Sequence, residues 1–304
     1  MEEKRTNLPQ APSLIRRGIL LMAHGAPQNL DEVEEYVLRI RHGRPLEPEL
    51  MATIQDRYRQ IGGSPLLHWT VRQGEALQER LQDQKVYIGM KYSRPLIRDV
   101  VAQMITDGVK TFRAICLAPQ YSNLTIGAYQ TALDEALSDQ TLSFSLVRSY
   151  AKHPKLIHSF AARLQEARTN WPNAFVLFTA HSLPERVIRQ GDPYDFEVKE
   201  TARLVAQTTH LKDWRFAYQS QGMTSEKWLG PTVESKLDEL AAQSCTEILV
   251  VPVGFVCDHV EILYDIDILY REYAETKGMK LHRVRSLNDS AEFIELLYDL
   301  STSS

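Results

Sequence analysis

The sequence predicts an α/β protein of two Rossmann-like lobes, each a parallel sheet flanked by helices, with the functional site in the cleft between them. Three observations point there. A strand-length apolar run closes on a histidine twice, once in residues 18–27 (GILLMAHGAP) and again in 174–184 (AFVLFTAHSLP). A second echo follows each in the same order, residues 112–119 and 247–254, both apolar runs that reach a proline. Between these runs, strand-length segments alternate with segments of helical periodicity, the pattern of βαβ units on a parallel sheet. Duplication of one unit, or two similar halves facing each other, accounts for the paired echoes most economically. Open α/β sheets hold their ligands where strands emerge into loops, and His24 and His181 stand at that edge.

The elements follow in order. Residues 1–15 read as a loose polar tail, 16–152 as a first lobe and 153–304 as a second with a closing C-terminal helix. After the first strand, apolar residues at Leu30, Val33, Val37 and Ile40 give a helix that the run 41–45 stops. A helix over 48–61 ends at Gly62-Gly63-Ser64-Pro65, a loop whose backbone amides are expected to be free to meet an anion. Helix 70–81, strand 85–90, helix 95–107, strand 111–117, helix 126–137 and strand 142–147 complete the first lobe. The second opens with a helix from His153-Pro154 to about 170, then the His181 strand, a long loop through 191–193 and a helix over 196–208. Strand 215–219, helix 232–244, strand 247–253, one long helix over 258–273, a short strand at 280–284 and a helix over 290–300 follow.

The bulk numbers bound the function. With 304 residues, 43% hydrophobic and 24% charged, the chain is long enough for two domains with a substantial core. A net charge of −4 argues against nucleic acid as main partner, because phosphate binding rests on dense positive charge. No apolar run approaches the roughly 20 residues that span a bilayer, and the start carries no apolar signal core, so a cytoplasmic protein without an integral membrane segment is expected. Cys116, Cys245 and Cys257 form no Cys-x-x-Cys pair, which argues against structural zinc, an iron–sulfur cluster or a disulfide framework. The Gly-rich fingerprints of dinucleotide and P-loop sites are missing, so no nucleotide is expected.

The densest polar constellation is residues 252–267 (PVGFVCDHVEILYDID). On one helix Asp258, Glu261 and Asp265 would be three and then four apart, with their carboxylates on one face. By spacing alone this suits a solvated acidic face with Asp258 as helix cap, and equally a cation path beginning at the edge where His181 lies. One imidazole and one carboxylate make an incomplete site, suited to a borderline divalent metal such as iron(II) that is passed on. The first lobe contributes Arg41, Arg44, Arg57, Tyr58, Lys91, Tyr121 and Tyr129, whose guanidinium forks and flat phenol rings suit a flat, apolar polyanion. Trp69, Trp171, Trp214 and Trp228 read as packing residues.

Taken together, the motifs resemble the ferrochelatase family. They include LMAHGAP (21–27), IRHGRP (40–45), Arg57-Tyr58, IGGSPL (61–66), YIGMK (87–91), LAPQYS (117–122), TAHSLP (179–184), WLGP (228–231) and VGFVCDHVEILYD (253–265). The resemblance implies a class II chelatase-like fold and a lyase of haem biosynthesis that inserts Fe(II), its substrate metal, into a porphyrin held between the lobes. It implies His181 and Glu261 as the catalytic and metal-side pair, with Asp265 continuing the acidic path. It places His24, Arg41, Arg57, Tyr58, Ser64 and Tyr129 at porphyrin-contacting positions, and Lys91 is expected to join them. The chain is most similar to the soluble Gram-positive branch, which implies coproporphyrin III as porphyrin; protoporphyrin IX is the alternative substrate, and a monomer is expected. A cobalt or nickel chelatase and a haem carrier are the remaining readings. Two departures stand out: His24 replaces that branch's tyrosine, and the 62–65 loop is one residue shorter than the common form.

Overall fold

The computed structural model describes residues 17–138, 141–222 and 226–303; the expected N-terminal tail lies outside these. Two four-stranded parallel sheets form, and their strand orders are the same. The first runs β2-β1-β3-β4, built from β1 (Arg17–Ala23), β2 (Gln84–Met90), β3 (Thr111–Cys116) and β4 (Ser143–Val147). The second runs β6-β5-β7-β8, built from β5 (Phe175–His181), β6 (Arg215–Gln219), β7 (Glu247–Pro252) and β8 (Lys280–Arg283). In each, the strand that leads into or ends at its histidine lies centrally, between the next two strands of its lobe, so the strand order reverses direction across the sheet at that strand. That switch point is where an open α/β sheet leaves a crevice.

Helices cover both faces: α1 (Val33–Ile40), α2 (Pro48–Gln60), α3 (Leu66–Gln78), α4 (Ile97–Thr106) and α5 (Ile126–Leu137) in the first half. In the second are α6 (Pro154–Asn170), α7 (Glu185–Arg189), α8 (Tyr194–Thr208), α9 (Val233–Ala242), α10 (Val260–Leu263), α11 (Arg271–Thr276) and α12 (Ala291–Thr302). Side chains alternate across each strand. Leu20 and Met22 of β1 pack on Val101 and Met104 of α4, while Ile19 and Leu21 face the other way. Those two join one core with Val176 and Phe178 of β5 and with Leu296 and Leu297 of α12. The closing helix therefore does not stay in its own half; it packs on α6 and α3, and Arg80 pairs with Glu295 across the boundary.

Three expectations need correction. The long helix expected over 258–273 is broken: Asp258 lies before the helical segment, His259 is extended (φ −162°, ψ −173°), and a π segment spans Asp265–Tyr270 between α10 and α11. The Leu269 amide donates to the Tyr264 carbonyl at 2.9 Å, the i to i+5 bond of a π turn. The amides of the 62–65 loop are not free for an anion, since Gly62, Gly63 and Ser64 donate to the carbonyls of Arg59, Tyr58 and Pro27. The loop through 191–193 is preceded by the short helix α7, too brief to show a period in sequence.

Gly25, immediately after His24, has φ +90°, and a Cβ there would lie 2.7 Å from the Ser93 backbone nitrogen. Gly25→Ala is expected to destabilise the fold by roughly 1–3 kcal/mol. Urea unfolding checks this; an unchanged midpoint contradicts it.

Candidate active site

The two switch points face each other across a cavity of about 290 Å³. Much of its lining comes from strand exits: Ala23 and His24 at the end of β1, Leu117 and Gln120 after β3, His181 and Leu183 at β5, and residues 254–257 and 259–261 after β7. Short loops at the carboxyl ends of parallel strands thus bring segments far apart in sequence to one place.

On the second-lobe wall, His181 Nε2 lies 3.1 Å from Glu261 Oε1, and the other carboxylate oxygen lies 3.2 Å from His259 Nε2. His181 Nδ1 meets the Ser182 carbonyl oxygen, so both ring nitrogens face acceptors, the arrangement of an imidazolium. Its backbone carbonyl accepts from the Tyr194 hydroxyl at 3.0 Å. Burial opposes a charge on His181, but the Glu261 carboxylate and these bonds overcome it and raise its pKa to about 9. For Glu261 the balance is complementary: burial favours the protonated acid, but His181 and His259 together hold its pKa well below the usual carboxylate range.

Glu261 is fixed from behind by Gln219, at the end of β6 and in register with His181, whose side-chain amide donates to the Glu261 carbonyl at 2.8 Å. The next residue, Ser220, bonds the Asp265 carboxylate. Asp265 is 5% exposed. Burial, followed by the nearby Glu261 charge, raises its pKa to about 6 against the lowering effect of the Ser220 bond. Asp265 and Glu261 are therefore neighbours, as the spacing predicts. Asp258 is not with them: its carboxylate accepts from Ser286 Oγ at 2.7 Å and Asn288 Nδ2 at 2.9 Å on the far side, and it caps no helix.

On the first-lobe wall, His24 Nδ1 lies 3.2 Å from both the Gly25 carbonyl oxygen and the Tyr36 hydroxyl, and its ring centroid is 4.7 Å from that of Tyr92. The enclosing walls lower its pKa below 6.5 against the pull of the Glu261 charge, so His24 is neutral at pH 7. Tyr58, Tyr129 and Lys91 also line the cavity, with Lys91 Nζ 5.0 Å from the Tyr92 ring centre and 5.7 Å from that of Tyr129. Arg57 is beside the acidic segment, its guanidinium 5.3 Å from the Tyr264 ring centre.

Three expected contacts, Arg41, Arg57 and Ser64, are not brought to the cavity lining. Arg41 is exposed at the end of α1 and donates to the Arg44 carbonyl at 3.2 Å. Ser64 is buried; its amide bonds Pro27 and its hydroxyl accepts from the Leu66 amide at 3.4 Å, so it serves the loop. Residues not singled out in the sequence line the cavity instead: Tyr36, Tyr92, Tyr194, Phe255 and His259. His259 eludes pattern reading because residues two apart point to opposite sides of a helix; only its extended backbone lets it reach Glu261. Trp228, expected as packing, has its ring centroid 6.4 Å from that of His181.

Replacing Glu261 by Gln removes the main charge that opposes burial of His181. The His181 titration, followed by histidine proton NMR, is expected to fall from about 9 toward or below 6.5. A titration still near 9 contradicts the pairing.

Comparison with known proteins gives a consistent picture. The model of the ferrochelatase family matches residues 16–304. A curated ferrochelatase of Herpetosiphon aurantiacus is 44% identical over 94% of this chain and 98% of its own length. The coproporphyrin III ferrochelatase of Bacillus subtilis is 36% identical over 93% of this chain and 96% of its own. Among solved structures, the sirohydrochlorin chelatase SirB from Bacillus subtilis subspecies spizizenii, in complex with cobalt, superposes with a TM-score of 0.59 at 11% identity, covering 94% of this chain and 95% of that one. At that identity the likeness concerns the fold alone. No helix among the described residues is long and apolar enough to cross a membrane.

Proposed function

The chain belongs to the ferrochelatase family, whose reaction is the insertion of iron(II) into a porphyrin, and from that premise we propose that its porphyrin is coproporphyrin III. Several relatives carrying that specificity in their names, including the one from Bacillus subtilis, align over nearly the whole chain. The cavity supports a flat ligand: aromatic rings of Tyr36, Tyr58, Tyr92, Tyr129 and Phe255 wall it, and Lys91 supplies positive charge for a carboxylate. Arg41 and Arg44, exposed beyond the end of α1, suit the outer propionates of a four-propionate ring.

The observation that carries the mechanism is the His181–Glu261 pair at 3.1 Å. Metallation releases two pyrrole protons, so the site must accept positive charge and pass it on. His181 and Glu261 act on the metal side: as Fe(II) approaches, the imidazolium releases its proton to solvent, and the imidazole and carboxylate become a ligand pair that is too few to keep the ion. Asp265 extends the negative path, and once the metal has moved into the ring the same groups take up pyrrole protons. His24, neutral on the opposite wall, presents an imidazole to the other face of the macrocycle. Tyr58, Tyr129 and Lys91, which line the cavity, hold the ring, while Arg57 lies beside the acidic segment.

An anaerobic assay with Fe(II), following the loss of porphyrin fluorescence for coproporphyrin III and protoporphyrin IX side by side, tests the substrate. Faster loss with protoporphyrin IX overturns it. His181→Ala is expected to abolish metallation while porphyrin binding survives, and retained turnover removes His181 from the mechanism. At limiting Fe(II), kcat/KM should rise as pH increases through about 6, where the Asp265 carboxylate ionises. Asp265→Asn should flatten that limb.

A further inference from the structure

Arg283, at the end of β8, lies behind the acidic segment and outside the cavity lining. Its Nε and Nη2 donate to the two oxygens of Asp267 at 2.9 and 2.8 Å, a bidentate fork. Its Nη1 lies 3.3 Å from Asp258 Oδ1 and donates to the Val284 carbonyl at 3.0 Å and to Ser286 Oγ at 3.3 Å. The arginine side chain is 12% exposed, and those of Asp258 and Asp267 are 18% and 22% exposed. One guanidinium thus ties together a residue just before His259 and a residue inside the π segment. Glu261 and Asp265, proposed to handle the metal, and His259, which meets the Glu261 carboxylate, all lie between those two anchors.

We propose that Arg283 is a positioning residue for metal insertion: by clamping Asp258 and Asp267 from the rear, it sets the register of the π segment and so holds Glu261 at the cleft with Asp265 next to it. Residues two apart on a helix point to opposite sides, so Asp267 is held at the back while Asp265 meets Ser220 in front. π segments are rare and occur mostly as short bulges at functional sites, so external contacts such as this clamp are the natural means of holding one in place. Arginine is the residue for this, because its planar fork fixes direction as well as charge, which a lysine ammonium does not. Partners that orient metal-handling groups without touching the ion typically change metal handling by 10- to 100-fold when removed.

The clamp rests on the assignment of Glu261 and Asp265 to the metal side, so Glu261→Gln is measured beside the clamp variants. Purified full-length Asp267→Asn and Arg283→Lys are assayed anaerobically with coproporphyrin III, varying Fe(II) at saturating porphyrin and then the reverse. Both variants should lose about tenfold in kcat/KM for Fe(II) while the porphyrin KM and the circular dichroism spectrum stay at wild-type values. If Arg283→Lys fails to fold, Asp267→Asn decides. Equal losses for both substrates, or no loss, in folded Asp267→Asn overturn the clamp while Glu261→Gln remains impaired for Fe(II). An unimpaired Glu261→Gln overturns the metal-side assignment and the clamp with it.

Discussion

A carboxylate held ionised between two imidazoles, Glu261 between His181 and His259, is the constraint around which the second lobe is arranged. Burial alone would hand Glu261 a proton and leave His181 neutral; their proximity reverses both tendencies. The pairing exists because three adjacent strands deliver their exits to one point. β5 brings His181, its neighbour β7 leads into the loop with His259 and Glu261, and its other neighbour β6 brings Gln219 and Ser220 to hold the acidic segment. A different strand order would scatter these groups, so the sheet topology and the electrostatics of the site are one constraint.

That constraint also explains why the segment after β7 departs from regular helix. A continuous helix from Asp258 would send His259 and Glu261 to opposite sides and align Asp258, Glu261 and Asp265 on a single face, where three like charges repel. Instead His259 is extended, α10 makes a single turn and the π segment carries Asp265 forward. Asp258 is turned to the rear, where Arg283, Ser286 and Asn288 satisfy it. Glu261 remains at the cavity lining with Asp265 buried next to it, and burial, with the Glu261 charge added, raises the pKa of Asp265.

The fold was legible because its signals were local. Buried parallel strands read as apolar runs, as in β1 and β5, and helix α5 runs from Ile126 to Leu137 as the pattern predicts. His181, Glu261 and Asp265 could be picked because their order along the chain survives into space. What resisted reading depends on backbone geometry without a period: the π turn, the extended His259 and the Gly62–Ser64 amides satisfied internally. Tyr36 resisted for another reason. It lies on the apolar stripe of α1, indistinguishable in sequence from a core residue, and only the docking of that helix beside His24 turns its hydroxyl to the cleft.

The two histidines that mark the strand exits are alike in sequence setting but differ in charge. His181 faces a carboxylate and is protonated, whereas His24 faces a tyrosine hydroxyl and a carbonyl and stays neutral at pH 7. A planar ring between them would meet charge chemistry on one face and an imidazole lone pair on the other. On the proposed reading this asymmetry gives the reaction a direction. The charged pair exchanges protons for metal, while the neutral imidazole, which binds a metal without first losing a proton, favours the ion once it lies in the ring. A tyrosine in place of His24 would keep a polar group there but, with the ordinary pKa near 10, would offer a much weaker neutral donor.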